Sequence, residues 1–182
     1  IKSAVFQVDP LNRFPKGTMA MTEEFIWICT DSFLTKYSYQ QEIIEQFPIP
    51  LSLATANPYN IFQGLKYQES IWIGTRQGLL QFEPDTESFQ VYTVADGLPH
   101  DVIYTIVPHR NNLWLGTHYG LCRFNIKTKA VKNYFKKHGL THNEFNRYAA
   151  LKTKDGKLYF GGINGVNAFY PEQIDSLEQR DG

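Results

Sequence analysis

One dozen of residues is written twice in this chain. Ile71–Phe82 reads IWIGTRQGLLQF and Leu113–Phe124 reads LWLGTHYGLCRF. Set in register on the first aromatic, Trp27, Trp72, Trp114 and Tyr159 align, 45, 42 and 45 positions apart, within the texts IWICT, IWIGT, LWLGT and LYFGG. Six positions later come Phe33, Gly78, Gly120 and Gly165, then Leu34, Leu79, Leu121 and Val166. Ten positions after the aromatic stand Tyr37, Phe82, Phe124 and Phe169. The two middle copies stay in step further, through Tyr92 and Tyr134 and through Gly97-Leu98 and Gly139-Leu140. A register held over four copies means that one small structural unit is built four times.

A period of ~40–50 residues made of short strands is the signature of a β-propeller blade. In the third copy DVIYTIVP, NLWLGT, LCRFNI and AVKNYF read as four strands, separated by the turn-forming pieces HRNN, HYG and KTK. No segment holds a helical period over eleven or more residues, so almost no helix is expected. The fold class is all-β, with about four four-stranded antiparallel blades. A single blade leaves both faces of its sheet bare, and stacking copies covers them. Blade cores are expected near 25–48, 61–94, 102–136 and 147–171, within a repeat region at 21–174. Residues 1–20 are read as partial strands of a preceding or closing blade, with Ser3–Val8 as the strand. Residues 175–182 are read as a linker. The fourth copy shows no fourth strand after VNAFYP. The set is expected to belong to a larger, seven-bladed propeller. The tryptophans are expected to fill the wedge between blades. Gly74, Gly116 and Gly161 fall where a side chain would collide, and Gly78, Gly120 and Gly165 suit turns with positive φ.

Composition narrows the function. Lys+Arg and Asp+Glu both number 18 in 182 residues, so there is no basic excess of the kind a nucleic-acid footprint needs. No apolar run reaches the ~20 residues of a membrane span. The chain has neither an initiating Met nor a signal peptide, and is read as an excised piece or a mature form. Cys29 and Cys122 stand in repeats expected to lie apart, which favours two buried thiols over a disulfide. His138 and His142 are four apart, but Gly139 between them argues against a helical zinc pair. KDGK lacks the acidic ligands of a calcium loop, GGINGV lacks a strand-to-helix context for phosphate, and no nucleophile motif is present. No cofactor, metal or catalytic residue is expected.

LWLGTHYGLCRFNIKTKAVKNYFKKHGL and IWIGTRQGLLQFEPDTESFQVYTVADGL resemble the two-component regulator propeller repeat, with its W-I-G-T, G-L, paired aromatics and D-G-L. GLTHNEFNRYAALKTKDGKLYFGGINGVNAFYPEQI is similar to the closing repeat of the sensor region in Bacteroides-type hybrid two-component systems. The resemblance covers about Glu24 to Ile174 and is weakest in the first copy, which lacks both glycines. It implies the extracytoplasmic, periplasmic part of an inner-membrane receptor that senses an oligosaccharide. It also implies the remaining propeller blades, a following immunoglobulin-like domain and a downstream histidine kinase. This chain itself would be no enzyme and would bind no nucleic acid. A homodimer is compatible with the open ends of a partial propeller.

In a four-strand meander the second-to-third and fourth-to-first connections emerge on one face. That face carries Arg76, Gln77, His100, Asp101, His118, Tyr119, His142, Asn143, Asn146 and Arg147. Guanidinium, imidazole, amide and aromatic groups suit a hydroxyl-rich ligand. The expected ligand set is Arg76, His100, Asp101, His118, Tyr119, His142, Asn146 and Arg147. Against it, polar loop residues also serve their own turns, Asn143 and Asn146 in particular. Two rival functions stay open: a propeller lyase or hydrolase acting on polysaccharide, and a protein-interaction scaffold.

Overall fold

The computed structural model describes residues 18–21, 24–29, 33–38, 44–50 and 61–178. Four antiparallel sheets follow one another along the chain. The first holds β1 (Thr18–Met21), β2 (Phe25–Cys29), β3 (Phe33–Ser38) and β4 (Ile44–Pro48). The second holds β5 (Ile61–Tyr67), β6 (Ser70–Thr75), β7 (Gly78–Glu83) and β8 (Ser88–Tyr92). The third holds β9 (Ile103–His109), β10 (Asn112–Thr117), β11 (Leu121–Asn125) and β12 (Val131–Tyr134). The last has three strands, β13 (Phe145–Lys152), β14 (Leu158–Gly162) and β15 (Gly165–Phe169), followed by α1 (Pro171–Glu178). Each sheet is a meander in sequence order, and the first strands of successive sheets lie beside one another. These are propeller blades.

The repeat register is the sheet register. Trp27 pairs with Lys36, Trp72 with Gln81, Trp114 with Arg123 and Tyr159 with Ala168, each on the second strand of its sheet. The core lies between blades, and the aromatic spacing explains it. Each tryptophan stacks on the ring twenty positions later, on the fourth strand of its own blade. It also meets the ring ten positions past the tryptophan-equivalent residue of the next blade. Trp27 lies 6.0 Å from Phe47 and 5.7 Å from Phe82. Trp72 lies 6.3 Å from Tyr92 and 5.7 Å from Phe124. Trp114 lies 5.6 Å from Tyr134 and 4.9 Å from Phe169. Apolar pairs from the next blade complete each wedge: Ile71 and Ile73, Leu113 and Leu115, then Leu158 with Phe160. Tyr159 repeats the position with no described blade beyond it, and is half-buried.

Small size matters where blades touch. A Cβ on Gly74 would come within 2.8 Å of the Ile103 carbonyl oxygen on the next blade. Gly78, at φ +129°, also turns the chain from β6 into β7, and a Cβ there would meet the Tyr92 carbonyl at 2.4 Å. Polar ties add to the stack. Gln63 on β5 donates to the Ile106 carbonyl at 3.0 Å and accepts from the Ile106 N–H at 2.8 Å. Lys129 reaches back from the β11–β12 turn to Gln81 Oε1 at 2.9 Å, over the rings of Trp72 and Tyr92. Burial beside those rings lowers its pKa.

Two expectations need correction. The first blade starts earlier than its aromatic pattern shows, because β1 pairs with β2 as a true first strand rather than belonging to a neighbouring blade. Among the described residues the fourth sheet has three strands, as the absence of a fourth strand after VNAFYP led us to expect. The chain after Phe169 turns into a helix through Glu178 rather than a plain linker. Pro171 opens that helix with its φ preset, and Glu172 sits in the first turn where the helix dipole favours an acid. Ser3–Val8 and residues 179–182 lie outside the described residues. Cys29 and Cys122 are free thiols buried in different wedges.

Candidate functional site

The face expected to carry a ligand owes its shape to the first strands. β5, β9 and β13 each lose register at the end that reaches this face. Ile61 pairs with Thr75 and Gln63 with Gly74, which leaves Phe62 over. Ile103 pairs with Thr117 and Thr105 with Gly116, which leaves Tyr104 over. In β13 the pairing jumps from Phe145–Gly162 to Ala150–Phe160, and Tyr148 within the jump has φ 57°. An extra residue in a strand re-aims its side chain out of the pleat. The three bulges bring together residues of three blades. The Phe62 and Tyr104 rings meet edge to face at 5.1 Å. The Arg147 guanidinium lies 4.4 Å over Phe62 and 5.6 Å over Tyr104.

Two histidines adjoin this cluster. Tyr104 Oη lies 3.3 Å from His118 Nδ1, and the His118 and His100 rings are 5.0 Å apart. Glu144 Oε1 approaches His118 Nδ1 at 3.5 Å. Burial, and the neighbouring His118, lower the pKa of His100 against the opposing pull of Asp101. A lowered pKa holds the imidazole neutral near pH 7.

The two long connections on this face share one design. His100 Nδ1 accepts from the Val102 N–H at 2.9 Å, and His142 Nδ1 accepts from the Glu144 N–H at 3.0 Å. Asp101 Oδ1 accepts from the Val94 N–H at 2.8 Å, and Asn143 Oδ1 from the Lys136 N–H at 2.6 Å. These four side chains therefore shape their own loops. With Nδ1 occupied as an acceptor, each neutral imidazole carries its proton on Nε2. His138 Nδ1 likewise accepts from the Phe135 N–H, and no metal-ligand cluster occurs among the described residues.

The structure thus gathers His100, His118 and Arg147 from the expected set. Tyr119 sits apart. It is 53% exposed, leans on Phe135 at 5.7 Å, and lines a shallow hollow of about 330 Å³ with Lys137 and Asn143. Arg76 and Asn146 are exposed on the same face. Phe62, Tyr104 and Glu144 were missed. A signal for the rings existed: each stands ten positions before the tryptophan of its blade. The larger cavity, about 650 Å³, contains none of the expected residues. It runs between β12 and β15, lined by Asn133, Tyr134, Asn167, Phe169 and Ile174. Among the described residues β15 is the edge of its sheet, and the groove lies beside it, where β4, β8 and β12 stand in the other blades. We read it as a feature of blade packing and not as the ligand site.

The opposite face anchors the exit of the chain. Glu172 Oε1 lies 2.8 Å from His109 Nε2 and 3.0 Å from an Arg110 nitrogen, and Tyr170 Oη donates to Asp155 Oδ2 at 2.6 Å. The start of α1 is tied in this way to the β9–β10 turn, one blade back.

No family model and no curated protein matches the sequence. Solved structures do. The extracellular domain of the hybrid two component system BT4673 from B. thetaiotaomicron is 20% identical, with a TM-score of 0.64 over 91% of this chain and 22% of that one. The extracellular domain of the hybrid two component system BT3049 from the same organism is 21% identical, with a TM-score of 0.62 over 87% of this chain and 25% of that one. PorZ, a surface component of the type-IX secretion system of Porphyromonas gingivalis, is 8% identical, with a TM-score of 0.60 over 87% of this chain and 21% of that one. The chain spans about a quarter or less of the length of these proteins. The likeness is one of fold, and a fold hosts many functions.

Proposed function

We propose that this chain is the ligand-sensing segment of an extracytoplasmic two-component receptor. It binds an oligosaccharide on the face built by the β5, β9 and β13 bulges. The observation that carries this reading is the cluster of Phe62, Tyr104, His118 and Arg147, drawn from three blades. It combines the partly exposed ring of Tyr104, seated on buried Phe62, with fixed polar groups, which suits a sugar. A ligand spanning three blades also touches the elements whose relative position a signal would change. The likeness of fold to extracellular domains of hybrid two component systems supports the same reading. Further blades of the propeller complete the ring, and a following immunoglobulin-like domain receives the signal through α1, whose first turn is held by His109 and Arg110. A membrane segment and a histidine kinase lie downstream in the parent protein. No catalytic step is assigned to this chain. For signalling, the ligand must bind two arrangements of the receptor with different affinity.

The test uses the intact receptor and a panel of oligosaccharides released from plant and host glycans. At least one is expected to raise the melting temperature of the extracytoplasmic region and to induce the target genes. The double variant Tyr104→Ala, His118→Ala is expected to lose both responses. Full responses in that variant would move the site elsewhere, and turnover of a sugar by the wild type would make the protein an enzyme.

A further inference from the structure

Resting on that reading, we infer that the sugar recognised here carries an anionic group, a uronate carboxylate or a sulfate ester, and that Arg147 binds it. The argument starts from charge. Arg147 is exposed, and among the described residues it has no carboxylate partner. Two acids of the same face are otherwise engaged: Glu144 is turned to His118 and Asp101 to the Val94 N–H.

Orientation is the second point. A guanidinium is planar, with its N–H groups directed outward in that plane. The guanidinium carbon lies 4.4 Å over the Phe62 ring and 5.6 Å over that of Tyr104, a cation–π contact that holds the group on one side and leaves its donor fork for a ligand on the other. Such a fork matches two oxygens of a carboxylate or sulfate at once, whereas a lone hydroxyl engages it at one point. The same contact restrains a long side chain before the ligand arrives, which lowers the entropy cost of binding.

Backbone shape is the third point. Four residues of β13, from 146 to 149, stand between ladder pairs that flank Gly161 alone, and Tyr148 holds a positive φ among them. A non-glycine residue in that region is unfavourable and is retained where the surroundings demand it. The bulge places Arg147 over the rings of two other blades. Around it, the Nε2 donor of His100 and the hydroxyl of Tyr104 are suited to the sugar's own oxygens.

The experiment measures binding to the intact extracytoplasmic region by calorimetry, with four probes: trigalacturonate, a 6-O-sulfated galactose trisaccharide, neutral galactotriose, and sodium acetate. It compares the wild type with Arg147→Met, whose stem still covers Phe62, and with Arg147→Lys, which keeps the charge without the fork. At least one of the two anionic trisaccharides is expected to bind and to weaken as salt rises. Arg147→Met should weaken it by about ten- to a hundred-fold, the loss of a charge-assisted hydrogen-bonded pair, and Arg147→Lys by less. The better of the two anionic probes identifies the group. Galactotriose binding as tightly as the anionic probes would overturn the acidic group and leave the oligosaccharide reading standing. Anionic binding unchanged in both variants would overturn the role of Arg147. Acetate binding as well as the trisaccharides would reduce the site to an anion contact, and silence from all four probes would overturn the inference. In that last case a positive result from the glycan panel would still uphold the sensor reading.

Discussion

Replacing Trp114 by Ala tests how the blades hold together. The indole is fully buried, at 0% exposure, and reaches rings on both sides of a blade junction. Removing a core Trp costs about 3–5 kcal/mol. Two ring pairs go with it, Tyr134 at 5.6 Å and Phe169 at 4.9 Å, each contributing about 0.5–1.5 kcal/mol within that total. The indole N–H has no acceptor among the described residues. Deleting it therefore strands no partner, and the expected loss lies in the lower half of the range, about 3–4 kcal/mol. Tyr159 holds the same register position but is half-buried, so Tyr159→Ala should cost about 1 kcal/mol or less in this chain. Urea unfolding followed by far-ultraviolet circular dichroism gives both numbers. Each wedge joins only two neighbouring blades, so the loss is expected to be local. Hydrogen exchange at Leu158 and Phe160 should quicken in Trp114→Ala more than exchange at Ile71 and Ile73. Equal losses for the two variants, or a loss below about 1 kcal/mol for Trp114→Ala, would refute the wedge between blades as the source of stability.

Gly78→Ala should destabilise by about 1–3 kcal/mol, because it strains a residue at φ +129° and drives a Cβ into the Tyr92 carbonyl; the melting temperature checks it. His100 has a folded-state pKa below its ordinary 6.5. The native state thus takes up the proton less readily than the unfolded chain, and stability should be full above about pH 6.5 and decline as pH falls through the lowered folded value. A urea series from pH 8 to pH 5 should show that decline, and His100→Gln should flatten it. Burial pushes the Cys122 thiol well above its ordinary pKa, so native protein should leave it unmodified by a thiol reagent while urea-unfolded protein reacts at once.

Much of this fold was legible because it is repetitive. The interval of 42–45 residues, the tryptophan and the rings ten and twenty positions later located the second strand of every blade. They did so because the same wedge must be filled at each junction, which selects the same residue types in the same register. The loss of a fourth strand after Phe169 was equally readable, as a pattern that stops. β1 was not readable. TMAM carries neither the tryptophan nor the turn glycines, and only pairing with β2 makes it a strand.

The site divides along the same line. Meander topology alone assigned Arg76, His100, His118, Tyr119 and Arg147 to one face, since strand order dictates where each connection emerges. Which of them meet was decided in three dimensions. Side-chain direction alternates in a regular strand, but a bulge breaks the alternation, and its position depends on how neighbouring strands pair. Phe62, Tyr104 and Arg147 are 42 and 43 positions apart along the chain, and one bulge in each of three first strands joins them. His142 and Asn143 show the converse. Their residue types suit a ligand, yet the loop backbone needed acceptors for the Glu144 and Lys136 N–H groups and took those side chains for itself. Sequence determined the blades and the face, because both follow from a repeated local pattern. Only the tertiary structure decided the cluster, because it depends on where three strands, far apart in the chain, fall out of step with their partners.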